Sequence, residues 1–427
     1  MLQHLKRRRN IFLVLALQFC FYNCTKPSNE LMKDAATASS TNERVLSAMA
    51  YPPVETLPPN APSQKPAFAN QTRSPGAKTQ TPLSVTILVK TLNHPWSIAF
   101  LPDGRMLVTE KSGNMRIITT SGSVSNPLLN LPAIKYQAEA GLLDVITDEN
   151  FSTNRQLFWT YVEASPTKYA VAVAKANLSA DETKLENVKV IYRATPAYTG
   201  LQHFGARLLL YQGLLYVCLG DRHDDSIRVQ AQQLNSSIGK VIRTNKDGTP
   251  AAGNPYRTSS TTKGEIWSIG SRDPQGMAIN PATGELWESE HGPTGGDEIN
   301  IIKRGANYGW PVITYGLDND GTPLNGGKTA QDPMRQPVYY WDPAIAPSGI
   351  AFYSSSVISE WTNNLFVASL KDKHIARLII KSNRVVGEER LLTDQNQRFR
   401  DVKAGPDGAL YAVTDELPGR LYRISKK

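Results

Sequence analysis

Cysteine is scarce in this chain, and the positions of the few cysteines exclude two kinds of chemistry. Cys20 and Cys24 lie near the N-terminus, so Cys218 is the only cysteine in the part expected to fold. One cysteine cannot form an internal disulfide, and the apolar residues around Cys218 predict an inert, buried thiol. The chain contains no Cys-x-x-Cys-His sequence, which excludes covalently attached c-type haem.

Two further features that the sequence lacks argue against particular classes of function. No Gly-x-Gly-x-x-Gly motif occurs between a strand and a helix, which argues against a nicotinamide-dependent enzyme. The net positive charge is also small where the chain is expected to fold. The formal net charge is +9, of which +6 falls in residues 1–83 and only +3 in the remainder. The basic balance therefore does not indicate a nucleic-acid partner.

The N-terminal residues resemble an export signal followed by a tether. A charged stretch at residues 6–9 precedes an apolar run at 11–21 that is too short to span a bilayer, so residues 1–24 are predicted to be a signal peptide. Cys24 precedes a polar stretch, as a lipid-modified cysteine would; ordinary cleavage to a soluble periplasmic protein and a retained anchor remain alternatives. Residues 25–83 lack apolar periodicity and are predicted to be a disordered tether.

Residues 84–427 contain a recurring pattern of turn, short apolar strand, turn and second strand. Six instances occur, and long helical patterns are nearly absent. This pattern is typical of an all-β repeat fold. We therefore expect a six-bladed β-propeller of four-stranded antiparallel blades. Residues 85–89 are expected to add a strand to the C-terminal blade and close the ring.

The stretch from Glu288 to Asn300 concentrates carboxylates, a histidine and glycine turns. Hard cations prefer oxygen ligands such as carboxylates, main-chain carbonyls and water. An acidic loop between two strands, with no ligand, is the alternative interpretation of this stretch.

Nine short motifs, in one order, resemble those of the soluble quinoprotein glucose dehydrogenase and aldose sugar dehydrogenase family (the glucose/sorbosone dehydrogenase group). They span most of residues 86–426. The motifs start at Asn93 (NHPWSIAFLPDGR), Gly141 (GLLDV), His203 (HFGAR, with LGD at 219–221), Ala231 (AQ, with GKVIR at 239–243), Ser271 (SRDPQG), Glu290 (EHGP), Ala346 (APSG), Ser369 (SLK) and Arg398 (RFRDV). The family is a group of six-bladed propellers that use pyrroloquinoline quinone (PQQ) and calcium.

The resemblance implies a catalytic role for three residues. His203 would be the general base, because a histidine near neutrality can accept a proton from an alcohol while a hydride leaves the same carbon. Asp221 would orient the imidazole, although an aspartate that merely forms a turn is an alternative. Arg272 would lie beside the quinone carbonyl and stabilise negative charge.

The resemblance also implies ligands for the cofactor and the metal. Guanidinium groups suit carboxylates, although Arg398 and Arg400, taken alone, read as solvated charges on one strand face. The implied PQQ-binding residues are Glu139, His203, Arg272, Asp273, Ser348, Lys371, Arg398 and Arg400. The implied calcium ligands are Gly292 and Pro293 beside the quinone, with Glu298 and Tyr308 at a second, structural position; a solvent-exposed Glu298 is the alternative.

Two positions depart from the family pattern. Glu139 stands where the family usually has Gln, and Asp273 stands where it usually has Asn. Both amides would be expected to touch the quinone. Two carboxylates in their place are expected to weaken the binding of a polyanionic cofactor.

These features predict an exported, monomeric or dimeric enzyme that oxidises aldose sugars at C1 with PQQ and calcium. The partner is a small sugar, and the electron acceptor is not specified by the sequence. Two alternatives remain: a carbohydrate-binding propeller that has lost the quinone, and a calcium-dependent propeller lactonase.

Overall fold

A computed structural model describes residues 51–427, which contain twenty-three strands and little helix. The expected signal peptide, Cys24 and the expected tether residues 25–50 lie outside this range. The strands are β1 Leu83–Leu92, β2 Pro95–Phe100, β3 Met106–Glu110, β4 Asn114–Ile118, β5 Leu142–Thr147, β6 Gln156–Val162, β7 Val171–Leu178, β8 Leu185–Arg193, β9 Gly205–Tyr211, β10 Leu214–Leu219, β11 Lys240–Asn245, β12 Ile266–Ile269, β13 Pro274–Ile279, β14 Leu286–Glu290, β15 Asp297–Ile302, β16 Tyr339–Trp341, β17 Pro347–Phe352, β18 Leu365–Ser369, β19 Ile375–Lys381, β20 Arg384–Leu391, β21 Phe399–Ala404, β22 Leu410–Thr414 and β23 Gly419–Lys426.

The helical segments of the described range are all a single turn or little more. None of them is long and apolar enough to cross a membrane. The α-helical turns are α1 Phe151–Asn154 and α2 Asp225–Arg228, and the 3-10 turns are Val229–Gln232, Leu324–Gly326, Ser359–Trp361 and Thr393–Gln395.

The strands form six antiparallel sheets, which confirms the predicted six-bladed propeller. Five sheets have four strands, in the orders β5 to β8, β9 to β12, β13 to β16, β17 to β20, and β21-β22-β23-β1; the sheet β2-β3-β4 has three. The first strand of each sheet contacts the first strand of the next, from β2 through β5, β9, β13, β17 and β21 back to β2. These six innermost strands therefore enclose a central channel.

Strand β1 closes the ring, as the sequence predicted. It pairs antiparallel with β23 over Leu83↔Lys426 to Leu92↔Gly419, with two register shifts. The last blade is thus built from both ends of the described chain. This arrangement covers an edge that would otherwise present unpaired backbone groups.

The core lies between adjacent blades. Trp159 and Trp287 are fully buried, and Trp287 packs edge-to-face on Phe352 of the next blade with ring centroids 5.4 Å apart. Cys218 is buried and free. Because each blade is covered by its two neighbours, both faces of most inner strands are apolar or hydrogen-bonded.

Residues 51–82 differ from the predicted tether, because they pack along the outer edges of the blades. The Asn60 and Ala61 amides donate to the Asp342 carboxylate at 2.9 Å each, and the buried Gln71 side chain donates to Pro337 O at 2.9 Å. Further along, the Ala77 amide donates to Glu388 O at 2.8 Å. Hydrogen bonds to polar groups on the blades hold this segment. A prediction based on apolar periodicity does not register such contacts.

Candidate active site

A cavity of about 220 Å³ opens at one end of the central channel. It is lined by residues at or just before the start of the innermost strands, and by residues that directly follow the second strands of the blades. The fold therefore brings together short segments that are far apart in sequence. The lining residues are Trp96, Lys111, Glu139, Leu143, Phe204, Gly205, Asp273, Gln275, His291, Ala346, Leu370, Arg398, Arg400 and Asp415. Seven of the fourteen are acidic or basic side chains or histidine, so the cavity suits a polar, charged ligand.

His203 and Asp221 form an imidazole–carboxylate pair beside this cavity. His203 Nδ1 donates to Asp221 Oδ1 at 2.7 Å, and Trp310 Nε1 donates to Asp221 Oδ2 at 2.7 Å. Burial would raise the pKa of Asp221, but the hydrogen bond and charge of His203 outweigh burial and lower it. The carboxylate is therefore ionised and fixes the ring, which leaves Nε2 to accept a proton.

The backbone around His203 admits only one residue type at a neighbouring position. His203 has a left-handed φ of 47°, and its carbonyl lies against Gly220. A Cβ at position 220 would lie 2.1 Å from His203 O, so any other residue there would displace the histidine. The LGD sequence at 219–221 therefore combines a close backbone approach with the orienting carboxylate.

Arg272 supports the loop that follows β14. Its Nη1 donates to His291 O at 3.0 Å and to Gly292 O at 2.7 Å, and its guanidinium lies 5.2 Å from the Trp310 ring centroid. Its Nε is buried without a hydrogen-bond partner among the described residues. The Nε–H thus remains for a ligand, while the Gly292 carbonyl is already engaged.

Glu139 and Asp273 both accept backbone N–H groups of the histidine loop. Glu139 Oε2 accepts from His203 N at 2.6 Å, and Asp273 Oδ1 accepts from Gly205 N at 3.1 Å. An amide oxygen could accept the same bonds, which explains how carboxylates fit where the family pattern has amides. Burial, and then the charge of Asp273, raise the pKa of Glu139.

The opposite wall of the cavity is cationic. Arg400 Nη1 donates to Gln275 Oε1 at 3.2 Å and to Ser348 Oγ at 3.4 Å, and Arg400 Nη2 donates to Asp415 Oδ2 at 2.5 Å. The Arg398 and Lys111 side chains approach the same carboxylate at 3.9 and 3.8 Å.

One buried carboxylate therefore faces three cations, and the wall keeps a net positive charge. Burial would raise the pKa of Asp415, but the charges of Arg400 and Lys111 hold it well below its usual value. Arg398 and Arg400 are consequently part of this wall and are not merely solvated charges, although the Arg398 side chain is 42% exposed.

Two of the expected PQQ ligands, Ser348 and Lys371, differ in how far they are buried. Ser348 is fully buried on β17 and touches Arg400. Lys371 is exposed and does not line the cavity.

Sequence reasoning missed Lys111 and Asp415. A signal was available, since Asp415 directly follows β22 and Lys111 directly follows β3, the equivalent strand of another repeat.

The expected structural calcium position falls on a sheet face rich in carboxylates. Register pairs Glu290 with Glu298 and Glu288 with Asn300 across β14 and β15, which puts the four side chains on one face. We call these four residues the carboxylate face. Both carboxylate oxygens of Glu288, Glu290 Oε2 and Asn300 Oδ1 are buried without a hydrogen-bond partner in the described structure.

Burial dominates the electrostatics of the carboxylate face. It raises the pKa of Glu298 to about 7 and those of Glu288 and Glu290 well above their usual values. Repulsion from Glu298 adds to the effect on Glu288 and Glu290, and repulsion from Asp297 adds to the effect on Glu298. In residues 51–427 no group of three or more acidic, histidine or cysteine side chains is arranged to hold a metal ion. The Tyr308 hydroxyl is engaged elsewhere, donating to Ile301 O at 2.6 Å and accepting from Lys303 N at 2.7 Å.

Comparisons with known proteins agree with this geometry. The family model described as Glucose / Sorbosone dehydrogenase matches residues 92–423. Aldose sugar dehydrogenase YliI of Escherichia coli (strain K12) is 39% identical over 349 residues, covering 81% of this chain and 93% of the relative. The crystal structure of the soluble aldose sugar dehydrogenase from Escherichia coli, in its apo-form, superposes with a TM-score of 0.78 at 38% identity, covering 81% of this chain and 100% of that one.

A more distant relative carries the name of a quinoprotein. Quinoprotein glucose dehydrogenase B of Acinetobacter calcoaceticus is 26% identical over 408 residues, covering 77% of this chain and 84% of the relative. The ordered motifs, the six-bladed fold and the matched residues lead to one conclusion: this chain belongs to the glucose/sorbosone dehydrogenase family.

Proposed function

We propose that this protein oxidises aldose sugars at C1 to lactones with PQQ as the hydride acceptor and calcium as a second cofactor. The observation that carries the proposal is a buried imidazole–carboxylate pair, His203 with Asp221, beside a cavity with a cationic wall. The names of the relatives, one an aldose sugar dehydrogenase and another a quinoprotein, support the same reaction.

The residues present fit a polycarboxylate quinone. Arg398, Arg400 and Lys111 face the cavity around a single carboxylate, so positive charge remains for an anionic ligand. The buried Nε atoms of Arg272 and Arg400 have no hydrogen-bond partner among the described residues. A bound ligand with several oxygens would satisfy them. When bound, PQQ supplies the hydride acceptor that no protein side chain provides.

The protein residues would handle the proton and the charge. His203 would take the proton of the sugar C1 hydroxyl at Nε2, because Nδ1 is committed to Asp221. The ionised Asp221 would stabilise the imidazolium that forms. Arg272, held by two backbone carbonyls, would place a fixed positive charge near the reacting centre.

Calcium is supported unequally at its two expected positions. The carboxylate face around Glu298 has buried oxygens without partners, which a hard cation would satisfy. At the other position, Gly292 O accepts from Arg272, so a cation bound through Gly292 and Pro293 would share or replace that contact. We propose Glu298, completed by backbone carbonyls and water, as the stronger calcium position, and Tyr308 as a weaker candidate ligand.

We further propose that the protein is exported and that the catalytic propeller lies in the periplasm, free or anchored through a lipid on Cys24. The charged and apolar runs within residues 1–24 support this location. A monomer or homodimer is proposed, with an electron carrier as the other partner.

The proposal is tested by adding PQQ, with and without calcium, to purified protein that contains neither. We expect a bound-quinone absorption spectrum that changes when an aldose is added. His203→Gln is the matched control, which should bind PQQ but show little change with sugar. Sugar binding without any PQQ spectrum would instead favour the carbohydrate-binding alternative, for which the two cavity carboxylates Glu139 and Asp273 are the supporting observation.

A further inference from the structure

Two segments that do not line the cavity are joined to each other beside Asp221. Gln232 Nε2 donates to Asn307 Oδ1 at 3.0 Å and to Trp310 O at 2.7 Å, and Asn307 Nδ2 donates back to Gln232 Oε1 at 2.7 Å. The Trp310 backbone N–H donates to Gly270 O at 2.9 Å. These hydrogen bonds fix the backbone on both sides of the Trp310 side chain.

The Trp310 indole is buried and contacts two groups of the proposed active site. Trp310 is only 4% exposed. Its Nε1–H donates to Asp221 Oδ2 at 2.7 Å, and the Arg272 guanidinium lies over the ring, 5.2 Å from the ring centroid. A cation over an indole face is attracted by the electrons of the ring. One rigid side chain therefore contacts the carboxylate that orients His203 and also the arginine expected beside the quinone.

Asp221 depends on this indole for one of its two carboxylate oxygens. Oδ1 accepts from His203 Nδ1 at 2.7 Å and from His223 N at 2.8 Å, whereas Oδ2 has Trp310 Nε1 as its only hydrogen-bond donor among the described residues. Asp221 is only 1% exposed, so bulk water has little access to replace a lost donor. Without Trp310 a buried oxygen would lack a partner, and rotation of the carboxylate toward another donor would move the imidazole.

We propose that Trp310 is a positioning residue, whose indole fixes Asp221, and through it the His203 ring, relative to Arg272. The inference rests on the proposed functions of His203 and Arg272. A base and a cation that act on one reaction need a fixed separation, and a misplacement of about 1 Å can cost on the order of 10²-fold in rate. A buried indole provides this because it is rigid and does not itself accept or release a proton.

Packing alone is the simpler role for Trp310, and the chain offers a control that separates the two. Trp310 packs with Ala231 and Leu324, so its ring also contributes to stability. Trp310→Phe keeps an aromatic ring and removes the N–H donor. Trp341 is 3% exposed and its Nε1–H donates to Glu388 Oε1 at 3.1 Å, and neither residue lines the cavity. Trp341→Phe therefore removes an equivalent indole–carboxylate bond away from the site.

The first test needs neither quinone nor sugar. The His203 Nδ1–H proton, assigned by its loss in His203→Gln, is followed by NMR in the unmodified protein, in Trp310→Phe and in Trp341→Phe. Its exchange with solvent should accelerate by about tenfold in Trp310→Phe, the scale of one lost hydrogen bond. It should stay within about twofold in Trp341→Phe, because the effects of distant sites are independent.

An unchanged exchange rate in Trp310→Phe would overturn the proposal. So would the absence of a slowly exchanging Nδ1–H in the unmodified protein, because positioning requires the bond from His203 to Asp221. If Trp310→Phe does not fold, Gln232→Leu takes its place, since it loosens the backbone around Trp310 and leaves the indole in the chain. The same acceleration is expected there, and its absence would count against the proposal.

The second test uses the PQQ-loaded enzyme. Trp310→Phe should lower kcat by about tenfold and change the KM for sugar by less than about threefold, because the lost interaction acts on the reacting groups. Trp341→Phe should leave both constants unchanged, although both variants lower the melting temperature. Equal kcat values for Trp310→Phe and the unmodified enzyme would contradict the proposal. If the unmodified enzyme oxidises no aldose, the proposed function fails and the NMR measurement alone decides whether Trp310 holds the pair.

A third variant tests the contact with Arg272. Trp310→Leu removes the aromatic face as well as the N–H, so kcat should fall several-fold further than in Trp310→Phe. Equal kcat losses in the two variants would overturn the part of the proposal that concerns Arg272.

Discussion

The cavity and the carboxylate face contain a similar number of acidic side chains, but the two sets differ in whether their carboxylate oxygens have hydrogen-bond partners. In the cavity, Glu139, Asp273 and Asp415 each accept a hydrogen bond from a backbone amide or a guanidinium. On the carboxylate face, both oxygens of Glu288 are buried without a partner. A buried charge is tolerable only if it is paired, protonated or bound to a metal. The cavity carboxylates are therefore paired, whereas Glu288 on the carboxylate face must be protonated, which its raised pKa favours, or bound to a cation.

Because of this difference, we expect the two regions to control different properties of the protein. The cavity offers spare positive charge to an anion and a base to a substrate, so changes there should alter activity and quinone affinity. The carboxylate face offers spare oxygens to a cation, so changes there should alter stability and its dependence on calcium.

The largest expected effect is on activity alone. His203→Gln should lower sugar oxidation by at least ~10²-fold, the usual contribution of a general base. The melting temperature should change little, because the buried Asp221 carboxylate keeps its hydrogen bonds from His223 N and Trp310 Nε1. Steady-state dye reduction and thermal melting of both proteins test this. Turnover close to that of the unmodified protein would remove His203 from the mechanism.

The next effect is on stability. Calcium at a hundredfold excess over its Kd should stabilise the protein by about 2.7 kcal/mol. Glu298→Gln should lose most of this gain, because it removes a ligand charge from the carboxylate face. Glu285→Gln, on the exposed end of the same hairpin and paired with Lys303 on the surface, is the matched control and should keep it. Melting curves with calcium and with chelator distinguish these outcomes; identical curves would argue against calcium there.

A third prediction concerns quinone affinity and its pH dependence. A carboxylate about 4 Å from a ligand carboxylate repels it by roughly 4 kcal/mol at an effective dielectric of 20. Nearby arginines offset much of this, so Glu139→Gln with Asp273→Asn should tighten binding by about tenfold.

The pH dependence of quinone binding has a definite sign. Because burial raises the pKa of Glu139, protonation as the pH falls removes its negative charge, and quinone binding to the unmodified protein should strengthen. The double variant should lack the Glu139 contribution to this trend. Quinone titrations at two pH values measure both effects, and tight, pH-independent binding by the unmodified protein would show that the carboxylates are neutral substitutions.

The smallest effect is expected at Lys371. Its side chain is exposed and does not line the cavity, so Lys371→Ala should change the free energy of quinone binding by less than about 0.5 kcal/mol. Arg400→Ala, which removes a cation of the cavity wall, should weaken binding much more. Equal losses in the two variants would mean that Lys371 moves to the ligand when the quinone binds.

The contrast between Lys371 and Lys111 shows the limit of predicting site residues from sequence motifs. Lys371 is the last residue of a recognisable motif yet lies outside the cavity, whereas Lys111 follows an unremarkable repeat strand and lines the cavity. The six repeats could be predicted from the sequence because the alternation of apolar residues along a strand is a local pattern. Which strand ends lie together at the channel depends on closure of the ring of blades. No local sequence pattern encodes the distances between these strand ends.

The amino-acid sequence sufficed to identify the repeat fold, the closing strand β1 and the histidine motif, because each depends on residues close together along the chain. Other features depend on contacts between distant residues. The docking of residues 51–82 on Asp342, the shared carboxylate of His203 and His223, and the unpaired oxygens of the carboxylate face became visible only after the blades were assembled. The reason is physical: burial and charge pairing are set by neighbours in space, and ring closure chooses those neighbours.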